Sequence, residues 1–213
     1  MLLLYSAAGF SQTDTNRTVS LRIGFDVSRL SLYYFQPERK ALEFSGDMEL
    51  YKNVYPAIEI GWNNIALKKD SLYNYYSNGL YSRIGVDYNF LKPESINDNE
   101  MFIMGIRYGF SLFNNLANSI RIKDNYWGNF NGDISRKSLS AHWVEFVAGF
   151  RTELFKNFYL GWTLRGRMLL AKTKDNETGP YWIPGFGKGS AKSAVGFNYS
   201  IFYSIPLYKM KHK

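Results

Sequence analysis

The sequence predicts an all-β fold: a single eight-stranded antiparallel up-and-down transmembrane β-barrel with both termini periplasmic. Three observations predict it. Apolar and polar residues alternate with period two in eight separate segments. The strand charges, and most strand glycines, fall on the polar parity. The connections between segments alternate between short and long. A chain of 213 residues fits one domain. Its 21% charged and 18% aromatic residues exclude disorder. No apolar run approaches the ~20 residues of a membrane-spanning helix. The chain has no cysteine and two histidines, so thiolate and multi-histidine metal sites are excluded and no cofactor is expected.

The first segment, 20–28, sets Leu21, Ile23, Phe25 and Val27 against Arg22, Gly24 and Asp26. The second, 41–50, sets Leu42, Phe44 and Met48 against Glu43, Asp47 and Glu49. Segment 54–62 alternates Ile58, Ile60 and Trp62 with Glu59 and Gly61. Segment 80–90 alternates Ile84, Val86 and Tyr88 with Arg83, Gly85 and Asp87. Segment 102–112 carries Arg107 between Ile106 and Tyr108. Segments 142–154 and 158–170 carry Glu145, Arg151 and Glu153, then Arg165 and Arg167, on their polar parity. The eighth, 194–207, runs Val195, Phe197, Tyr199, Ile201, Tyr203, Ile205 and Leu207 on one side.

An internal repeat fixes two turns. Glu49-Leu-Tyr-Lys-Asn-Val-Tyr55 returns as Glu153-Leu-Phe-Lys-Asn-Phe-Tyr159. Lys-Asn reads in both as a two-residue hairpin turn, since Asn tolerates the positive φ such turns need. The remaining connections are long at 29–40, 63–79, 114–138 and 171–192, and intermediate at 91–100. Short turns at one end and long loops at the other is the asymmetry of an outer-membrane barrel.

Parity also decides which face meets lipid. Eight strand glycines share the charged parity, while Gly46 and Gly166 sit on the apolar one. Glycine weakens an exposed face but makes room inside a narrow tube, and eight strands leave an interior just wide enough for side chains. The charged parity therefore faces inward. Buried charges must pair, and arginine's planar fork suits carboxylates. The expected lumen salt-bridge network is Arg22, Asp26, Glu43, Asp47, Glu59, Arg83, Asp87, Arg107, Glu145, Arg151, Arg165 and Arg167, with Glu49 and Glu153 also on the inward parity. Arg107 is the lone charge of its strand, so its partners are expected on neighbouring strands, with Asp87 and Glu145 the nearest candidates. Such a network reads as a plug, with a narrow channel as the alternative.

The ends carry targeting signals. Residues 1–11 read as a truncated signal peptide, with Gly9 and Ser11 three and one residues before a cut at Gln12. The barrel is expected over 18–207 and a basic tail over 208–213. Gly196, Tyr199, Ile201 and Tyr203 resemble the β-signal of outer-membrane assembly. Six stretches carry a family resemblance: Phe44-Ser-Gly-Asp47, Arg83-Ile-Gly-Val-Asp-Tyr-Asn89, Gly105-Ile-Arg-Tyr-Gly109, Ser140-Ala-His-Trp143, Glu153-Leu-Phe-Lys-Asn157 and Ile183-Pro-Gly-Phe-Gly187. On these, residues 18–207 resemble a family of small outer-membrane β-barrel proteins of unknown function found in Bacteroidota. The resemblance implies location and fold and supplies no activity.

Function is less legible. The net charge of +8 concentrates in the four long connections. Lipopolysaccharide phosphates at the cell surface would neutralise it, and a nucleic-acid partner is not expected. Tyr75, Tyr76, Tyr126, Trp127, Tyr181, Trp182 and Phe186 lie in those connections and are candidate partner contacts, for a surface lipoprotein or a barrel-assembly complex, or self-packing rings above the barrel mouth. Gly185-Phe-Gly187-Lys-Gly189 lacks the strand–loop–helix context of a phosphate loop. A lipid A-modifying enzyme would need a nucleophile, base and orienting acid together. His142 and Ser140 share an outward parity while Glu145 points inward, so no catalytic residue is assigned. The expectation is a non-enzymatic scaffold, an accessory subunit of an assembly machine.

Overall fold

The computed structural model describes residues 17–69, 73–91, 100–122, 130–173 and 179–210. The signal-peptide reading of 1–11 therefore lies outside the described residues. Among those described, ten strands form: β1 (Arg17–Asp26), β2 (Arg39–Met48), β3 (Val54–Lys69), β4 (Tyr73–Asn89), β5 (Met101–Ile122), β6 (Phe130–Phe155), β7 (Phe158–Lys172), β8 (Trp182–Ile183), β9 (Gly187–Lys188) and β10 (Ser193–Met210). A helix, α1 (Val27–Phe35), follows β1. Eight strands close a barrel in the order β1-β10-β7-β6-β5-β4-β3-β2, every pair antiparallel. Arg17 pairs with Met210, so the first and last strands begin and end at one rim. The two Lys-Asn turns lie at that same rim. Asn53 and Asn157 adopt φ of 61° and 67°, the left-handed conformation that asparagine accepts.

Parity holds around the wall. Ile23, Phe44, Ile60, Ile84, Ile106, Phe146, Leu164 and Phe197 are exposed on the outside, while the charged set is buried inside. The inward glycines leave room for large neighbours. A Cβ on Gly61 would overlap the Tyr81 ring, and one on Gly109 would overlap the Trp143 indole. Outward Gly166 has nothing within 4 Å of its Cβ position.

Four expectations need correction. The connection at 29–40 is not a plain loop: 27–35 is helical, and a strand continuing β1 would put Arg29 on the outward, apolar parity of Phe25 and Val27. The connections at 63–79 and 114–138 are largely strand. β3 and β4 stay paired from Val54↔Tyr88 to Lys69↔Tyr73, and β5 with β6 from Met101↔Arg151 to Ile122↔Phe130. The extra length escaped the alternation because polar residues occupy both faces there, as at Asn63–Asn64 and Asn114–Asn115. The 208–213 tail is also partly strand, since β10 runs to Met210. Glu49 and Glu153, finally, leave the lumen set. They accept the backbone N–H of Asn53 at 3.1 Å and of Asn157 at 2.7 Å, bracing the two turns.

Candidate functional site: a lumen packed in two layers

The twelve residues expected in the lumen network are all there, each 8% exposed or less. Arg83 is its hub. Its guanidinium reaches Glu43 and Glu59 at 2.9 Å and Glu145 at 2.8 Å, on three different strands. Arg165 comes from the far side of the barrel. It holds Glu59 with two nitrogens, at 2.7 and 2.9 Å, and Glu145 at 3.2 Å. This two-pronged geometry is the one an arginine fork makes with a carboxylate. The Tyr81 hydroxyl donates to Glu43 at 2.5 Å and the Trp143 indole N–H to Glu145 at 2.6 Å.

Nearer the short-turn rim, Asp47 bridges Arg22 at 2.6 Å and Arg151 at 2.7 Å. Arg22 stacks over Tyr55 and Arg151 over Phe202, so their guanidinium faces are covered as well. Arg107 binds Asp87 at 2.6 Å, as expected, but its second carboxylate is Glu59 at 3.5 Å rather than Glu145. Glu145 is taken by Arg83, Arg165 and Arg167. Asp26 accepts from Asn198 and from the Ser28 hydroxyl. The sequence missed Arg29. Placed three residues after Asp26 on α1, it reaches Asp26 at 3.2 Å and Glu43 at 3.0 Å. Among the described residues the lumen thus sets seven arginines against six carboxylates instead of carrying excess acid.

Among these charges lies a cavity of about 20 Å3, lined by Asp47, Glu59, Arg107, Arg151, Arg165 and Thr163 among others. It has room for about one water molecule. Truncation of Arg107 tests the charged layer. Arg107→Ala leaves Asp87 without its closest cation, and losing one partner of a buried pair costs ~3–5 kcal/mol. Lys156→Ala, in an exposed turn, is expected to change stability by ~0–1 kcal/mol at most. Unfolding temperatures in detergent report both; equal values would contradict a structural salt-bridge layer.

A second, apolar layer sits above. The connection after β7 turns inward as the β8–β9 hairpin, whose turn Pro184-Gly-Phe186 is buried. Ile183 and Phe186 pack with Tyr81, Phe113, Leu139, Ala141 and Trp143. Two lumen arginines grip the turn through its carbonyls: Arg83 donates to Gly185 and Arg167 to Phe186, each at 3.0 Å. Gly185 has φ of +79° and its Cβ position lies 2.6 Å from the Tyr81 ring, so only glycine fits. The glycine-rich stretch 185–189 therefore starts in the buried plug turn and returns to the surface at Lys188.

The candidate partner contacts divide. Phe186 is fully buried in the plug and is withdrawn as a partner contact, its ring lying 6.0 Å from that of Trp143. Tyr75 is buried; its hydroxyl accepts from the Trp182 backbone N–H at 3.1 Å and its ring meets Tyr181 at 5.4 Å. Trp182 is half-buried under Arg39 at 4.4 Å. Tyr76 and Tyr181 are exposed, and Tyr126 and Trp127 lie outside the described residues. Outside the barrel, His142 Nδ1 is 2.6 Å from the Tyr108 hydroxyl and its ring packs on Phe110. Ser140 Oγ contacts Thr173 Oγ1 at 3.1 Å, and Glu145 lies on the opposite side of the wall. Ser140, His142 and Glu145 are not brought together.

Comparison with known proteins places the chain in a family. It belongs to DUF6048, a domain of unknown function, matched over residues 5–210. No curated protein matches it. It is similar to three solved barrels. The N-terminal β-barrel domain of Pseudomonas aeruginosa OprF is 10% identical, covers 90% of this chain and 100% of its own, and has a TM-score of 0.45. A major outer membrane protein from Thermus thermophilus is 9% identical, with 88% and 99% covered and a TM-score of 0.48. Neisserial surface protein A is 10% identical, with 89% and 96% covered and a TM-score of 0.40.

Proposed function

We propose that this member of the DUF6048 family is a non-enzymatic outer-membrane barrel of a Gram-negative bacterium that anchors a protein partner and passes no solute. One observation carries the reading: a closed wall with an apolar outside encloses a lumen filled with side chains. A soluble protein rarely exposes a contiguous apolar patch beyond a few hundred Å2. Here apolar side chains are exposed on every barrel strand. A charged layer whose cavity has room for about one water supports anchoring over transport. The taller rim, with its long strand extensions, faces the cell surface, and the termini face the periplasm. Export by the N-terminal signal, a Bacteroidota origin and neutralisation of the basic rim by lipopolysaccharide belong to the same proposal. The partner is a surface lipoprotein or a barrel-assembly complex.

Gentle affinity purification from detergent-solubilised membranes tests the anchor, and planar-bilayer recording tests the seal. A stoichiometric partner and no discrete conductance are expected. Isolation only as a free monomer would overturn the scaffold, and stable unitary conductance would restore the narrow channel.

A further inference from the structure

The two short turns repeat more than a turn needs. Leu50-Tyr-Lys-Asn53 returns as Leu154-Phe-Lys-Asn157. Hairpin geometry accounts for the asparagine, which takes the left-handed φ, and for the glutamate before each leucine, which accepts the asparagine N–H. It makes no demand for the leucine, the aromatic ring and the lysine between them. All three are exposed in both copies, the rings of Tyr51 and Phe155 at 69% and 72%.

The two turns are also matched in position. In the barrel order β4 and β5 separate them on one side and β1 and β10 on the other, so they lie diametrically opposite. Eight tilted strands close a wall ~16 Å across, and the pair brackets that width. Asp47 of β2 and Arg151 of β6 meet across the lumen at 2.7 Å, which puts them at one depth. Tyr51 and Phe155 each follow four residues further down their strands. The turns therefore reach the same depth. They stand where the apolar outside of the wall stops. On β7 the outward run of Phe158, Leu160, Trp162, Leu164 and Met168 starts two residues after Lys156. On β2 Phe44 and Met48 lead down to Leu50 and then to Lys52.

We propose that each turn is a binding site for the phosphate headgroup of a phospholipid in the leaflet around this rim. Lysine meets phosphate as a point charge. The aromatic ring lies at headgroup level, where barrels carry their aromatic girdles, and the leucine enters the acyl chains. Two features identify the occupant. Each site continues the apolar belt without a break, and each ends in a positive charge that complements a phosphate. The proposal rests on the membrane location and orientation proposed above. Two opposed contacts at one depth hold the barrel upright, where a single one would let it tilt.

The folded full chain is reconstituted in phosphatidylethanolamine vesicles containing phosphatidylglycerol with a photoreactive headgroup. A parallel sample carries the reactive group in the acyl chain instead. Adducts are mapped by mass spectrometry after proteolysis, and heat-modifiable migration on gels shows that each variant is folded. The headgroup probe is expected to react at both turns, and the acyl-chain probe at Ile106 on the wall. Lys52→Gln is expected to lower the adduct at its own turn about fivefold and leave the other unchanged, and Lys156→Gln the converse. Headgroup adducts at both turns that are indifferent to the lysines overturn the phosphate sites. An adduct at one turn only overturns the matched pair. No headgroup adduct at either turn, with Ile106 still reacting with the acyl-chain probe, overturns the sites while the membrane location stands. No reaction at Ile106 overturns both.

Discussion

Arg83→Ala is expected to lower the unfolding temperature of the barrel in detergent by more than any other single arginine truncation, corresponding to about 3–5 kcal/mol. Arg83 is fully buried and is the one side chain among those described that joins both layers of the lumen through three carboxylates and a plug carbonyl. Below, it neutralises Glu43, Glu59 and Glu145. Above, it holds the Gly185 carbonyl of the plug turn. Its loss is softened at Glu59 and Glu145, which keep Arg165, and at Glu43, which keeps Arg29 and Tyr81. No other side-chain donor reaches Gly185 among the described residues. Arg83→Lys keeps the charge but not the fork, and is expected to recover only part of the loss. Heat-modifiable migration over a temperature series measures all three proteins. An Arg83→Ala barrel as stable as wild type would mean that water replaces the guanidinium, and that the lumen is wetter than its packing indicates.

What the sequence made legible was whatever the apolar belt of the wall enforces. Where one face must be apolar and the other must fit inside a narrow tube, a parity shift moves every side chain to the wrong side. Arg22, Glu59, Arg83 and Arg165 were therefore placed in the lumen from alternation together with the parity of the glycines. Above the belt that pressure lapses, and the extended ladders through Asn64↔Asn78 and Ser77↔Asn115 carried no signal of their own. Glu49 and Glu153 fall on the inward parity yet sit at strand ends, where the turn N–H groups compete for them. The break after Asp26 was disguised because Val27 and Ser28 continue the alternation before Arg29 ends it. The plug turn could be recognised as unusual at Ile183-Pro-Gly-Phe-Gly187, but not as inward-folding, since nothing in a connection's length tells which way it turns. The apolar layer left one readable trace. Trp143 shares the parity of Glu145 and stands opposite Gly109, a large residue facing a small one across a strand pair.

That pairing underlies the other large effect, expected for Trp143→Ala. The indole is fully buried, fills the space over Gly109, packs on Phe186 and donates to Glu145 at 2.6 Å. Truncating a buried tryptophan typically costs ~3–5 kcal/mol, and the gap beside Gly109 is closed off by neighbouring strands that cannot collapse into it. Trp143→Phe refills most of the volume without the N–H, so the difference between the two variants separates packing from the hydrogen bond to Glu145. Trp162→Ala is the matched comparison, since Trp162 points outward and is 39% exposed. It is expected to shift the unfolding midpoint much less. Glu145 loses the indole N–H in Trp143→Ala but keeps Arg83, Arg165 and Arg167, so the variant is expected to melt earlier while still showing no unitary conductance in a planar bilayer. Equal midpoints for Trp143→Ala and Trp162→Ala would show that the apolar plug contributes little to holding the barrel closed. Conductance appearing in Trp143→Ala would show that the plug, and not the salt-bridge layer, is the seal.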